Sequence, residues 1–110
     1  MLLKIDVNKY NPTQYGFNKF LRDLEKVADA TEKEITGENH HWWTFIDSFS
    51  TFQDKLERII AFYHFDCTWL EGSRNPDGTY KTKPQLVKEF RDTLGAYLQS
   101  ASEEFETTLY

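Results

Sequence analysis

Hydrophobic positions change their rhythm three times along this chain, and each change marks an element. In L-L-K-I-D-V-N, Leu3, Ile5 and Val7 alternate with Lys4, Asp6 and Asn8. A period of two predicts a short half-buried strand, here an extended arm over residues 1–10. From residue 12 the period lengthens. Phe17, Phe20, Leu21, Leu24, Val27, Ala28 and Ile35 recur at steps of three and four, which predicts an amphipathic helix over 12–36. Asn11 stands ready to cap it, with Pro12 at the first helical position and Gln14 three residues after the cap. Gly37 supplies the stop.

A second helical seam runs through Trp42, Phe45, Phe49, Phe52, Leu56, Ile59, Tyr63 and Leu70. It predicts one long helix over 40–71, capped near Asn39 and stopped by Gly72. Asn-Pro-Asp-Gly at 75–78 is a turn sequence, because Pro fixes φ at the second position and Gly tolerates positive φ at the fourth. The flanks can pair as a small hairpin over 73–82. Thr82 and Gln85 then form a T-x-x-Q capping box. Leu86, Val87, Phe90, Leu94, Tyr97, Leu98, Ala101 and Phe105 make the stripe of a third helix over 83–107. The expected architecture is all-α: an antiparallel three-helix bundle with a long aromatic-rich central helix and a strand-like N-terminal arm, in a single domain over 1–110.

Composition changes this picture in few places. With 110 residues, 39% of them hydrophobic and 28% charged, the chain suits one hydrophobic core and not two. No uninterrupted apolar run reaches the roughly 18 residues of a membrane span, and the first ten residues lack a signal-peptide core. The expectation is a soluble cytoplasmic protein. A single cysteine, Cys67, rules out an intrachain disulfide and any zinc site built on several cysteines of one chain. The net charge of −5 argues against broad phosphate-backbone binding. It is too mild, and too interspersed with cations, to imitate a nucleic acid.

Half of the 18 aromatic residues, including all three tryptophans, fall between positions 42 and 69. At about 100° per residue, Phe62, Phe65 and Trp69 form a second stripe beside the main seam, with Arg58 one turn before Phe62. The same face is polar earlier, at Thr51 and Lys55. Aromatics with a neighbouring Arg are the residue types that dominate interface energetics. Either the flanking helices and arm cover this stripe, or it anchors another chain. Asp66 sits on the edge of the apolar seam, where a carboxylate needs a partner or water.

The remaining chemistry is sparse. His40 and His41 precede Trp42 at a helix start, where they face solvent more naturally than they ligate a metal. His64 and Cys67 are one turn apart, yet no oxyanion donor is visible to make them a nucleophilic pair. No P-loop, G-x-G-x-x-G, H-E-x-x-H or G-x-S-x-G is present. Arg74, Tyr80, Lys81 and Lys83 make a small basic turn. Glu103, Glu104 and Glu106 lie near the carboxyl end of the last helix, unfavourable to its dipole unless answered by a cation.

R-I-I-A-F-Y-H, from Arg58 to His64, resembles the arginine, spacer and histidine pattern of the HEPN-type ribonucleases, which are helical and cleave RNA without metal. The resemblance covers seven residues and departs from the family at Ile59, where a polar residue usually follows the arginine. It implies, as the alternative function, a metal-independent ribonuclease using Arg58 and His64. The leading expectation is a non-enzymatic protein without cofactor or metal that docks on a larger protein or on its own copy. Its interaction residues would be Arg58, Phe62, Phe65, Trp69, Trp43 and Tyr80. In type it is analogous to the small acidic helical inhibitors of phage and mobile elements, among them anti-restriction and anti-CRISPR proteins.

Overall fold

The structure, a computed structural model, describes residues 2–38, 49–64 and 74–109, with side chains to Thr107. It is helical: α1 spans Gln14–Thr36, α2 Ser50–His64 and α3 Lys83–Leu109, with a 3-10 turn at Val7–Lys9 before them. Among the described residues there is no strand, only one isolated antiparallel bridge between Arg74 and Tyr80.

Where the alternating pattern predicts a strand, the arm instead lies on α3 without a ladder. Leu3 is fully buried, Ile5 and Val7 half-buried, and the polar residues between them exposed. The alternation is therefore kept while the strand is not, because the neighbour is a helix whose backbone is already bonded within itself. The Leu3 N–H turns to a side chain, Ser102 Oγ, at 3.2 Å. Tyr10, buried at the end of the arm, gives its carbonyl to Arg91 Nε at 3.2 Å.

The cap of α1 is Thr13, not Asn11. Thr13 has extended backbone, and its hydroxyl accepts the Gly16 N–H at 2.9 Å. Pro12 is consequently outside the helix and buried, and the Asn11 carbonyl accepts the Thr13 N–H at 2.7 Å. Gly37 ends α1 in the left-handed conformation, φ 78°, as expected of a C-terminal glycine. Phe17, Phe20, Leu24 and Ala28 form the buried seam, and Glu32 occupies its next position, also fully buried.

The central helix is shorter than the seam predicts. Phe49 carries no helix, and α2 begins at Ser50, so no single rod runs from 40 to 71. The Phe49 carbonyl accepts the Gln53 N–H, and its ring packs edge-on against Tyr97 at 5.5 Å. Asp47 and Ser48, just upstream, are residue types that favour helix starts over interiors.

α3 follows its expected stripe closely. Leu86, Phe90, Leu94, Tyr97, Leu98, Ala101 and Phe105 are all buried, and the helix continues two residues past the predicted end to Leu109. Tyr97 is the hub of the core. It meets Phe20 of α1 at 5.7 Å, Phe52 of α2 at 5.7 Å, and Phe49, while Phe20 in turn meets Tyr10 of the arm at 5.5 Å. All but the tilted Phe52–Tyr97 pair are edge-to-face, an arrangement that adds about 0.5–1.5 kcal/mol per pair beyond area.

The turn before α3 is closed by main-chain hydrogen bonds. The Gly78 N–H donates to the Asn75 carbonyl at 3.0 Å, and the Asn75 N–H to the Thr79 carbonyl at 2.7 Å. Gly78 has φ 89°, which the sequence anticipates for a glycine at this position. Of the anticipated hairpin only the Arg74–Tyr80 bridge forms among the described residues.

Candidate functional site

Between α2, the turn before α3 and the start of α3 lies an open cleft of about 440 Å³. From α2 it is lined by Thr51, Asp54, Lys55 and Arg58, and deeper by Ile59 and Phe62. These are consecutive steps of three and four, so one helix face supplies them all. It is the face read from the sequence as polar early and apolar late. Lys81 and Glu89 supply the opposite wall.

Phe62 is half-buried and packs against the core, while Arg58, one turn earlier, is exposed. Lys81 and Glu89 pair across the wall at 3.0 Å, with side chains 20% and 32% exposed. Lys55 and Arg58 form no ion pair with another described residue. The cleft continues into a second depression of about 280 Å³, which shares Lys55, Lys81 and Glu89 and adds Phe52, Asp92, Thr93 and Ala96. Together they make one groove along α2. Thr51 to Phe62 spans about 16 Å at 1.5 Å per residue.

The groove is held open from the turn side. Thr82 and Gln85 make both bonds of the capping box, each at 3.3 Å. The Gln85 amide also bonds the side chain of Asn75, tying the turn to the first turn of α3. Lys83 lies over the Tyr63 ring at 4.9 Å, joining the start of α3 to the end of α2. Tyr80, 50% exposed, is covered on one face by Arg74 at 4.9 Å, and Arg74 Nη2 donates to its hydroxyl at 3.0 Å. Asp77 accepts from the Thr79 hydroxyl at 2.6 Å and from the Thr79 N–H at 3.0 Å, which hold its carboxyl below the usual carboxylate range.

Of the residues expected to form an interaction surface, the structure brings Arg58 and Phe62 into this groove. Tyr80 stands on the adjoining turn. Trp43, Phe65 and Trp69 lie outside the described residues, as do His40, His41, Asp66 and Cys67. Arg58 and His64 do not share the groove. His64 Nε2 donates to the Pro12 carbonyl at 3.1 Å, on the side of α2 that meets the chain before α1, and its ring stands edge-on to Tyr63 at 5.2 Å.

Sequence reasoning missed three things here. Glu89 and Asp92, which the apolar stripe of α3 passes over, line the groove. Tyr15, 69% exposed, is a second large exposed ring, away from it. The Tyr10 hydroxyl donates to Asp23 at 2.5 Å, and burial followed by that carboxylate pushes its ionisation far above the ordinary tyrosine range.

No cluster of three or more potential metal ligands occurs among the described residues, and no described helix is long and apolar enough to cross a membrane. No protein-family model, curated protein or solved structure matches the chain.

Proposed function

We propose that this chain is a non-enzymatic docking protein, an antiparallel three-helix bundle whose aromatic-rich central helix presents a binding face to a larger protein. The observation that carries the reading is the placement of exposed Arg58 above half-buried Phe62 in an open groove. An Arg beside a large ring in a concave site is the composition of interface hot spots. The antiparallel order is supported by two contacts on α3: Lys83 near its start meets Tyr63 late in α2, and Tyr97 further along meets Phe49 and Phe52 at the beginning of α2. Bonds from Leu3 to Ser102 and from Arg91 to Tyr10 support an N-terminal arm lying along α3. Small acidic helical inhibitors of phage or mobile-element type, acting on a host protein, are the functional class this reading favours.

Capture of the partner by the tagged full-length chain, from a lysate of the cells that encode it, tests the reading. Phe62→Ala and Arg58→Glu are expected to reduce capture at least tenfold while far-UV circular dichroism stays helical. Undiminished capture by both folded variants overturns it. His64→Ala is expected to leave capture unchanged. If the purified chain instead cleaves RNA and this substitution abolishes cleavage without unfolding, the ribonuclease reading replaces docking.

A further inference from the structure

The groove on α2 has a charge of its own. Within it three cations, Lys55, Arg58 and Lys81, face three carboxylates, Asp54, Glu89 and Asp92, and Asp92 is already paired with Lys88 outside the groove at 2.7 Å. Lys81 and Glu89 neutralise one another, which leaves Lys55 and Arg58, against the single carboxylate of Asp54, on the rim above Phe62 and Ile59. A guanidinium grips a carboxylate through two parallel N–H donors, and a partly enclosed apolar floor strengthens that contact relative to water.

Length and charge together define an occupant. An extended peptide rises about 3.3 Å per residue, so the roughly 16 Å from Thr51 to Phe62 accommodates about five residues. A nucleic-acid strand would place a charge on every nucleotide beside Asp54 and Glu89, with only two uncommitted cations to answer them. A peptide with one or two carboxylates flanking a large apolar side chain matches both the rim and the floor.

We propose that the groove binds an acidic peptide segment of the partner protein, with a carboxylate on Arg58 and Lys55 and an adjacent apolar side chain on Phe62. This rests on the docking function proposed above and adds to it the chemistry of what is docked. Steering by the rim follows from it, since an acidic segment approaching a chain of net charge −5 is favoured where Lys55 and Arg58 stand together.

The test is selection of a displayed library of random seven-residue peptides on the immobilised full-length chain, with affinities of the winners measured in solution. Enrichment of Asp or Glu next to Phe, Trp, Leu or Ile is expected. The double variant Lys55→Glu/Arg58→Glu, whose side chains are exposed, should lower the affinity of those peptides at least tenfold. Arg22→Glu/Lys26→Glu, the same charge change on exposed positions of α1, should leave it within about twofold, the variation expected of substitutions away from a contact. Raising salt from about 0.05 to 0.5 M should weaken binding several-fold. Winners without carboxylates, equal loss in the α1 control, indifference to the groove variant, failure to enrich any peptide, or tighter binding of a labelled single-stranded oligonucleotide each overturn the proposal. The docking function falls separately. If Phe62→Ala loses the captured partner while the groove charge reversal keeps it, docking stands and the acidic peptide does not.

Discussion

Gly16 shows how one atom reverses the usual sign of a substitution. In a helix interior alanine is better than glycine by roughly 1 kcal/mol. Here a Cβ would run into the Asn11 carbonyl, backbone that is held by the turn around buried Pro12. Gly16→Ala is therefore expected to destabilise the protein by about 1–3 kcal/mol, the range of overpacking, and a urea midpoint at constant m-value measures it. Tyr10 carries a second sign. Its hydroxyl is held protonated by burial and by Asp23. Above pH about 10 the unfolded chain has lost a proton that the native chain keeps, so stability falls as pH rises through that value. Tyr10→Phe should show a shallower loss between about pH 8 and pH 11. Equal slopes in urea titrations of the two proteins would show that the hydroxyl is not held this way. Neither residue was legible as special. Asn11 and Gln14 offered an equally regular cap to the eye, and what decides for Thr13 is the close approach of two backbones at Gly16, which no spacing encodes.

At the scale of elements, the seams of α1 and α3 were legible because each has one dominant apolar stripe with polar residues around it. The Thr82 box was legible too, since both partners lie within four residues and need nothing from the rest of the fold. Thr82→Ala removes the acceptor for the Gln85 N–H and should cost about 1 kcal/mol in thermal or urea unfolding. A cost near zero would mean that water replaces the 3.3 Å bond without loss. α2 was read too long. Its apolar steps pass through Phe49 without a break, and an aromatic residue fits a helix seam and the residue before a helix equally well. The arm was misread for a related reason: alternation records which side chains are buried, not whether a second strand exists to receive the backbone.

Across the whole molecule, one face of the groove was readable and the other was not. Thr51, Lys55, Arg58 and Phe62 declare themselves by periodicity on a single helix, whereas Lys81 and Glu89 join them only when the turn and α3 fold back. Long-range closure of that kind recurs throughout the core. Tyr97 joins α1, α2 and α3, and through Phe20 the arm, in one cluster of rings. Tyr97→Ala is expected to cost about 3–5 kcal/mol. It should not loosen one helix alone: near-UV and far-UV signals should still vanish together on heating, and separate transitions would disprove the shared hub. The backbone of Leu3 waits for Ser102, and that of Tyr10 for Arg91. During synthesis, then, these two bonds cannot form until α3 has left the ribosome, although the Tyr10 side chain already has Phe20 and Asp23 of α1 to pack against. Leu3, by contrast, finds its native hydrogen-bond partner only then, so the final docking of residues 2–10 follows the emergence of α3.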